Sequence, residues 1–162
     1  MNYSNDHIIA VNEAAAVYLK GYSSYAVGND FSIKEFINNK LLLIKSIRTG
    51  LSYAFFNEIK NITPFSDEDW ADILNISTKS LQRYKQEANF LFKPIHSEKI
   101  IEITEVSLLG NEVFEDTAQF KLWLQTPNYA LGNMQPLELL KDSYGKEMVM
   151  AELHRIDHGI FA

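Results

Sequence analysis

The 162-residue sequence predicts an all-α protein. Three observations carry that expectation. Apolar residues recur at i, i+3 and i+4 through most of the chain, the spacing of one buried helix face. Ser, Asp or Asn stands where those runs begin, and Gly, Asn or Pro where they end, as helix caps require. No stretch alternates apolar and polar residues for the length of a strand, and no segment repeats.

The elements follow in order. Ile8 to Leu19, with Ala14, Ala15 and Ala16, gives a modest helical pattern inside an N-terminal extension, residues 1–30, read as a flexible arm or a dimer contact. GYSSYAVGND (21–30) has the composition of a loop. Asp30 or Ser32 can cap one helix running to about Thr49, with Phe36, Leu43, Ile44 and Ile47 as its stripe and Gly50 as its stop. Ser52 to about Asn61 is the next, broken by Thr63-Pro64. Residues 66–86 read as two short helices. NFLFKP (89–94) connects them to a long helix from about Ser97 to Glu112, within which Gly110 suggests close packing or a bend. Asp116 caps Thr117–Leu124. TPNYALGNMQP (126–136) is turn-rich, Pro136 opens a short helix to Leu140, and Gly145 precedes a last helix from Lys146 to about Asp157 with Met148, Val149, Leu153 and Ile156 as its apolar residues.

Residues 66–86, SDEDWADILNISTKSLQRYKQ, hold the most information. Ser66 is a good N-cap, and Asp67, Glu68 and Asp69 place negative charge in the first turn, where the helix dipole favours it. Trp70, Ile73 and Leu74 form an apolar face, and Ala71 is small where a second helix must approach. Asn75 tolerates the left-handed conformation of a sharp turn. Ile76 plugs the turn, Ser77 or Thr78 caps the second helix, and Leu81 and Tyr84 face back. This is the spacing of a DNA-binding helix-turn-helix. The outward side of its second helix carries Thr78, Lys79, Gln82, Arg83 and Gln86, residue types that reach phosphates and base edges in a major groove. Lys79, Gln82 and Arg83 are the expected base readers. Ser77, Thr78, Lys85 and Gln86 are expected on the DNA backbone. A helical hairpin with a merely solvated polar face is the plainer reading of the same residues.

The formal net charge of −6 sits awkwardly with DNA binding until it is divided. Residues 1–95 hold 10 basic and 10 acidic side chains, and residues 96–162 hold 5 and 11. Residues 79–93 carry Lys79, Arg83, Lys85 and Lys93 against Glu87, a local basic patch. The acidic second half suits a basic protein partner or is simply a solvated face. Cysteine is absent, which removes disulfides, thiolate metal sites and a cysteine nucleophile. No basic-then-apolar leader and no apolar run near the ~20 residues of a membrane span is present, so a cytoplasmic protein is expected. His154 and His158 stand four apart on one helix but lack a third ligand, and a surface pair is expected rather than a metal site. Trp70 and Trp123 read as core anchors. No phosphate loop or nucleophile motif appears, so neither an enzyme nor a cofactor is expected.

The second half then becomes recognisable. LWLQTPNYALGNMQPLELL (122–140), followed by Gly145, Val149, Leu153, Arg155-Ile156 and Gly159, resembles the C-terminal domain of the Xre/MbcA/ParS antitoxins. The pattern is matched at Trp123-Leu124, Pro127-Asn128, Ala130-Leu131-Gly132, Pro136-Leu137 and Leu140. Ser80-Leu81-Gln82-Arg83 is similar to the recognition helix of the family's upstream helix-turn-helix, with Ser where Thr is usual; Glu102 departs from a position where Arg is common. The resemblance covers about residues 40–162. It implies a helix-turn-helix domain at 31–95 and a toxin-binding domain at 96–162. It further implies a homodimer that binds its own operator, and a partner toxin of the NAD-consuming RES type. Arg155, His158, Gly159, Ile160 and Phe161 are the implied toxin contacts, an Arg fork being suited to a phosphate subsite. A stand-alone transcription regulator whose C-terminal domain dimerises or senses a signal is the alternative.

Overall fold

The computed structural model describes residues 3–22, 27–28 and 30–159. Its helices are α1 (Asn5–Tyr22), α2 (Ile33–Asn38), α3 (Lys40–Thr49), α4 (Tyr53–Asn61), α5 (Asp67–Leu74), α6 (Thr78–Gln86), α7 (Pro94–Val113), α8 (Thr117–Gln125), α9 (Pro136–Leu139) and α10 (Ser143–Asp157), with a 3-10 turn at Tyr129–Leu131. Among the described residues there is no strand, only isolated bridges between Ser52 and Leu91 and between Asn128 and Met134. The chain is all-α, as its periodicity predicts.

Helix α7 is the axis. Pro94 opens it, where a missing N–H costs nothing. Ile100, Ile103, Val106 and Ser107 are fully buried on it, with α3 and α5 packed on one side and α8 and α10 on the other. Helices α3 to α6 close around an aromatic core of Phe55, Phe56, Trp70 and Phe92, all at most 1% exposed. The Phe56 ring meets Trp70 and Phe92 edge-on at 5.0 Å each, the geometry that ring quadrupoles favour. Phe92 is the fully buried residue of the connector, with Phe90 and Leu91 half-buried.

Three local departures from the sequence reading have local causes. Residues 33–49 form two helices, because Asn39 takes an extended conformation and caps both. Its N–H donates to the Phe36 carbonyl, while its side chain accepts from Leu42 N–H, the competition that makes Asn a helix interrupter. The break turns Ile44 to solvent and puts Leu42 and Leu43 in the core. The N-terminal pattern is longer and more engaged than an arm: α1 buries Val11, Ala15, Tyr18 and Leu19 against α4. The buried Tyr18 hydroxyl donates to the Gly50 carbonyl at 2.8 Å, and burial pushes its pKa up to about 12. Asn12 accepts from Ile33 N–H at 2.8 Å and ties α1 to α2. Finally, α10 begins at Ser143, so Gly145 lies inside its first turn rather than before it, and Met148 faces solvent while Val149 and Leu153 are buried.

Two glycines set close approaches in the second half. A Cβ at Gly110 would stand 2.0 Å from the Phe120 ring, so the glycine lets α8 lie directly on α7. A Cβ at Gly145 would stand 1.9 Å from the Leu139 carbonyl oxygen, so α10 and α9 meet backbone to backbone.

Candidate functional site

Local capping builds the helix-turn-helix. The Ser66 hydroxyl accepts from Asp69 N–H at 3.1 Å and the Asp69 carboxylate accepts from Ser66 N–H at 2.9 Å, a complete capping box. Asn75 ends α5 at φ 54, ψ 47, the left-handed turn that its side chain tolerates. Ser77 caps α6 by accepting from Ser80 N–H at 3.0 Å. Behind α6, Leu81 is 2% exposed and is the buried residue of the helix, with Tyr84 half-buried and stacked on Phe90 at 4.0 Å.

The structure sorts the expected DNA residues into three groups. Lys79, Gln82, Arg83 and Gln86 are exposed and border one shallow surface depression with Ser77 and Ser80. Thr78 and Lys85 are also exposed, but Lys85 borders a separate groove between α1, α4 and residues 85–90. The Ser77 hydroxyl is engaged by Ser80 as the cap. The Arg83 guanidinium lies 5.4 Å from the Tyr84 ring centroid, within cation–π reach. On α5, by contrast, Asp67 is paired with Lys60, and Asp72 lies 3.8 Å from Lys141. Within the helix-turn-helix, the basic side chains therefore lie on α6 and the acidic ones on α5.

The far end of the molecule is built differently. Arg155 is ion-paired with Glu152 at 2.6 Å, and His158 caps α10 with Nδ1 2.7 Å from the His154 carbonyl oxygen. Gly159 turns the chain at φ 68. Ile160 and Phe161 lie outside the described residues. The His154 and His158 rings are 6.5 Å apart, and no group of three metal-binding side chains occurs among the described residues. Glu102, where the sequence departs from the family pattern, accepts from Lys99 at 2.7 Å and from Ser143 at 2.9 Å. It pins α10 to α7.

One feature was invisible to periodicity. Leu122, Tyr129, Met134, Tyr144 and Met148 are large, apolar and exposed, Tyr129 at 88% and Tyr144 at 85%. All fall between residues 122 and 148. Where such side chains join into one contiguous patch, they mark a place where another molecule sits. Trp123, by comparison, is half-buried against Phe114 and Phe120, as an anchor should be.

Comparison with known proteins decides what these surfaces belong to. Residues 42–104 match the family model for the antitoxin Xre-like helix-turn-helix domain, and residues 109–159 match that for the antitoxin Xre/MbcA/ParS C-terminal toxin-binding domain. The chain belongs to the Xre/MbcA/ParS antitoxins. Among curated relatives, antitoxin Xre of Yersinia enterocolitica serotype O:8 / biotype 1B is 26% identical over 122 residues, which is 75% of this chain and 82% of the relative. Among solved structures, a chain of the M. tuberculosis MbcT-MbcA toxin-antitoxin complex superposes with a TM-score of 0.54 at 22% identity, over 66% of this chain and 94% of that one. That likeness establishes a shared fold. The antitoxin thus joins a helix-turn-helix domain, with polar and basic side chains outward on α6, to a toxin-binding domain on which Leu122, Tyr129, Met134, Tyr144 and Met148 are exposed. No described helix is long and apolar enough to cross a membrane.

Proposed function

We infer that this antitoxin captures a RES-type, NAD-consuming toxin and represses its own operon as a homodimer in the cytoplasm. One observation carries the reading: α7 joins a helix-turn-helix with exposed basic and polar side chains on α6 to a C-terminal domain on which Tyr129 and Tyr144 are almost fully exposed. The first fits a polyanion and the second fits a protein. Lys79, Gln82 and Arg83 would enter the major groove, with Thr78, Lys85 and Gln86 toward the phosphates. On the toxin side, Arg155, His158 and Gly159 stand at the exposed end of α10, followed in sequence by Ile160 and Phe161. Arg155 would exchange Glu152 for an anionic group in the toxin's nucleotide pocket. The MbcT-MbcA structure whose fold this chain shares is a toxin-antitoxin complex, which supports the capture half of the reading.

The test is co-expression with the gene beside it. Growth and cellular NAD are followed with the full chain and with residues 155–162 deleted, and operator binding of both is measured at fixed salt. Rescue by the full chain, loss of rescue on deletion and intact operator binding are the expected results. A neighbouring product that leaves NAD untouched, or a deleted chain that still protects, would reject the toxin assignment and favour a stand-alone regulator.

A further inference from the structure

Helix α1 lies outside the residues that either family model matches. Its inner face is committed to the core through Val11, Ala15, Tyr18 and Leu19. Its outer face is not. Ile9, Glu13, Ala16 and Lys20 follow one another at i, i+4, i+7 and i+11, the spacing of a seam between two helices, and Val17 lies beside them. Ile9 is 54% exposed and Val17 69%. Glu13 and Lys20 are exposed, and neither has an ion-pair partner among the described residues. All five border one groove of about 580 Å³, with Phe31 on its far wall.

We propose that this outer face of α1 is the contact between two copies of the chain, packed antiparallel about a two-fold axis that passes between Ala16 and Val17. The charges select that arrangement. Antiparallel packing sets Glu13 of one copy opposite Lys20 of the other, twice, while the small Ala16 of each copy receives Val17 of the other. Parallel packing would set Glu13 on Glu13 and Lys20 on Lys20. A patch that is its own complement under a two-fold is the mark of an isologous contact. A different protein would have no reason to match both ends of the stripe with opposite charges. A helix of 18 residues is about 27 Å long at ~1.5 Å per residue, and a pair of them buries less than the roughly 1,200 Å² at which stable complexes begin. The dimer is therefore weak when free and is reinforced by operator DNA with two half-sites. Only that reinforcement rests on the operator-binding reading above; the contact itself does not.

The experiment is sedimentation of the full chain, without DNA, across the micromolar range, with circular dichroism to check helicity. The wild type should show a concentration-dependent monomer–dimer equilibrium. Glu13→Lys and Lys20→Glu should each weaken it about tenfold, since each reversal sets like charges face to face at both ends. The double reversal should restore it, which a general loss of folding cannot do. Val17→Asp should abolish it with helicity unchanged. A wild type that stays monomeric throughout, single reversals without effect, or a double reversal no better than the singles would overturn the proposal. Operator binding is scored separately in a gel shift. A chain that dimerises as described but ignores operator DNA would reject the repressor reading and leave this contact standing, and the converse pattern would do the reverse.

Discussion

Helix α6 and the surface between residues 122 and 148 stand at opposite ends of the chemical scale. On α6 the buried residue is Leu81, and everything else that matters is polar, charged and in water. Around the C-terminal helices large apolar side chains, led by Tyr129, Tyr144 and Leu122, are exposed among the charged ones. The difference teaches how each surface gains its affinity. Phosphates release counterions when lysines and arginines approach, so binding through α6 should fall steeply with salt. Apolar burial is barely screened, so binding through Tyr129 and Tyr144 should not. If both surfaces bind as proposed, a single change of ionic strength would separate the two interactions.

The strongest way to break that comparison is to remove the apolar side. Gly145→Val drives a side chain into the Leu139 carbonyl, and backbone cannot yield as a side-chain tip can. We expect a loss of about 3 kcal/mol or more, seen in chemical denaturation, together with loss of toxin capture. Next comes the polar side. Arg83→Ala should weaken operator binding by about 1–3 kcal/mol in a gel shift while toxin capture is unchanged, because the side chain holds nothing in the core. A smaller and sharper effect is expected at Lys85, which faces a different groove from Lys79 and Arg83. Lys85→Ala should weaken all sequences about equally and lower the slope of log affinity against log salt by about 1.

The smallest effect concerns His96, in the first turn of α7. Burial, and secondarily the Lys93 charge, hold its pKa below the usual histidine value. The folded chain therefore takes up this proton less readily than the unfolded one. Its contribution to stability is complete above the unfolded value of about 6.5 and falls as the pH is lowered from there. His96→Gln should flatten that part of the stability–pH curve, measured by thermal melting between neutral pH and pH 5.

Much of this was legible because the signals were local. Ser66, Asn75 and Ser77 act on backbone groups within a few residues of themselves, so their roles survive any tertiary context. Asn39 was missed for the complementary reason: the apolar pattern runs through it from Phe36 to Ile47, and only its own backbone shows that the helix stops. The packing of α1 was hidden too, since Tyr18 finds its partner at Gly50, far along the chain. The exposed Tyr129 and Tyr144 could not be read from periodicity, which tells which face is apolar but not whether anything covers it. The toxin contacts proposed at the end of α10 come from the family resemblance alone, and the geometry adds that Arg155 is ion-paired with Glu152.

Helix α7 carries one more implication. After its opening Pro94 it runs without a further proline to Val113, joining the two domains, and Lys141 of the second lies 3.8 Å from Asp72 of the first. A toxin held at the C-terminal end would project from the DNA at one bearing, so its bulk would decide how closely two antitoxins can be seated along an operator. Spacing between neighbouring sites, rather than affinity at any one of them, would then set how many toxins a stretch of promoter can hold.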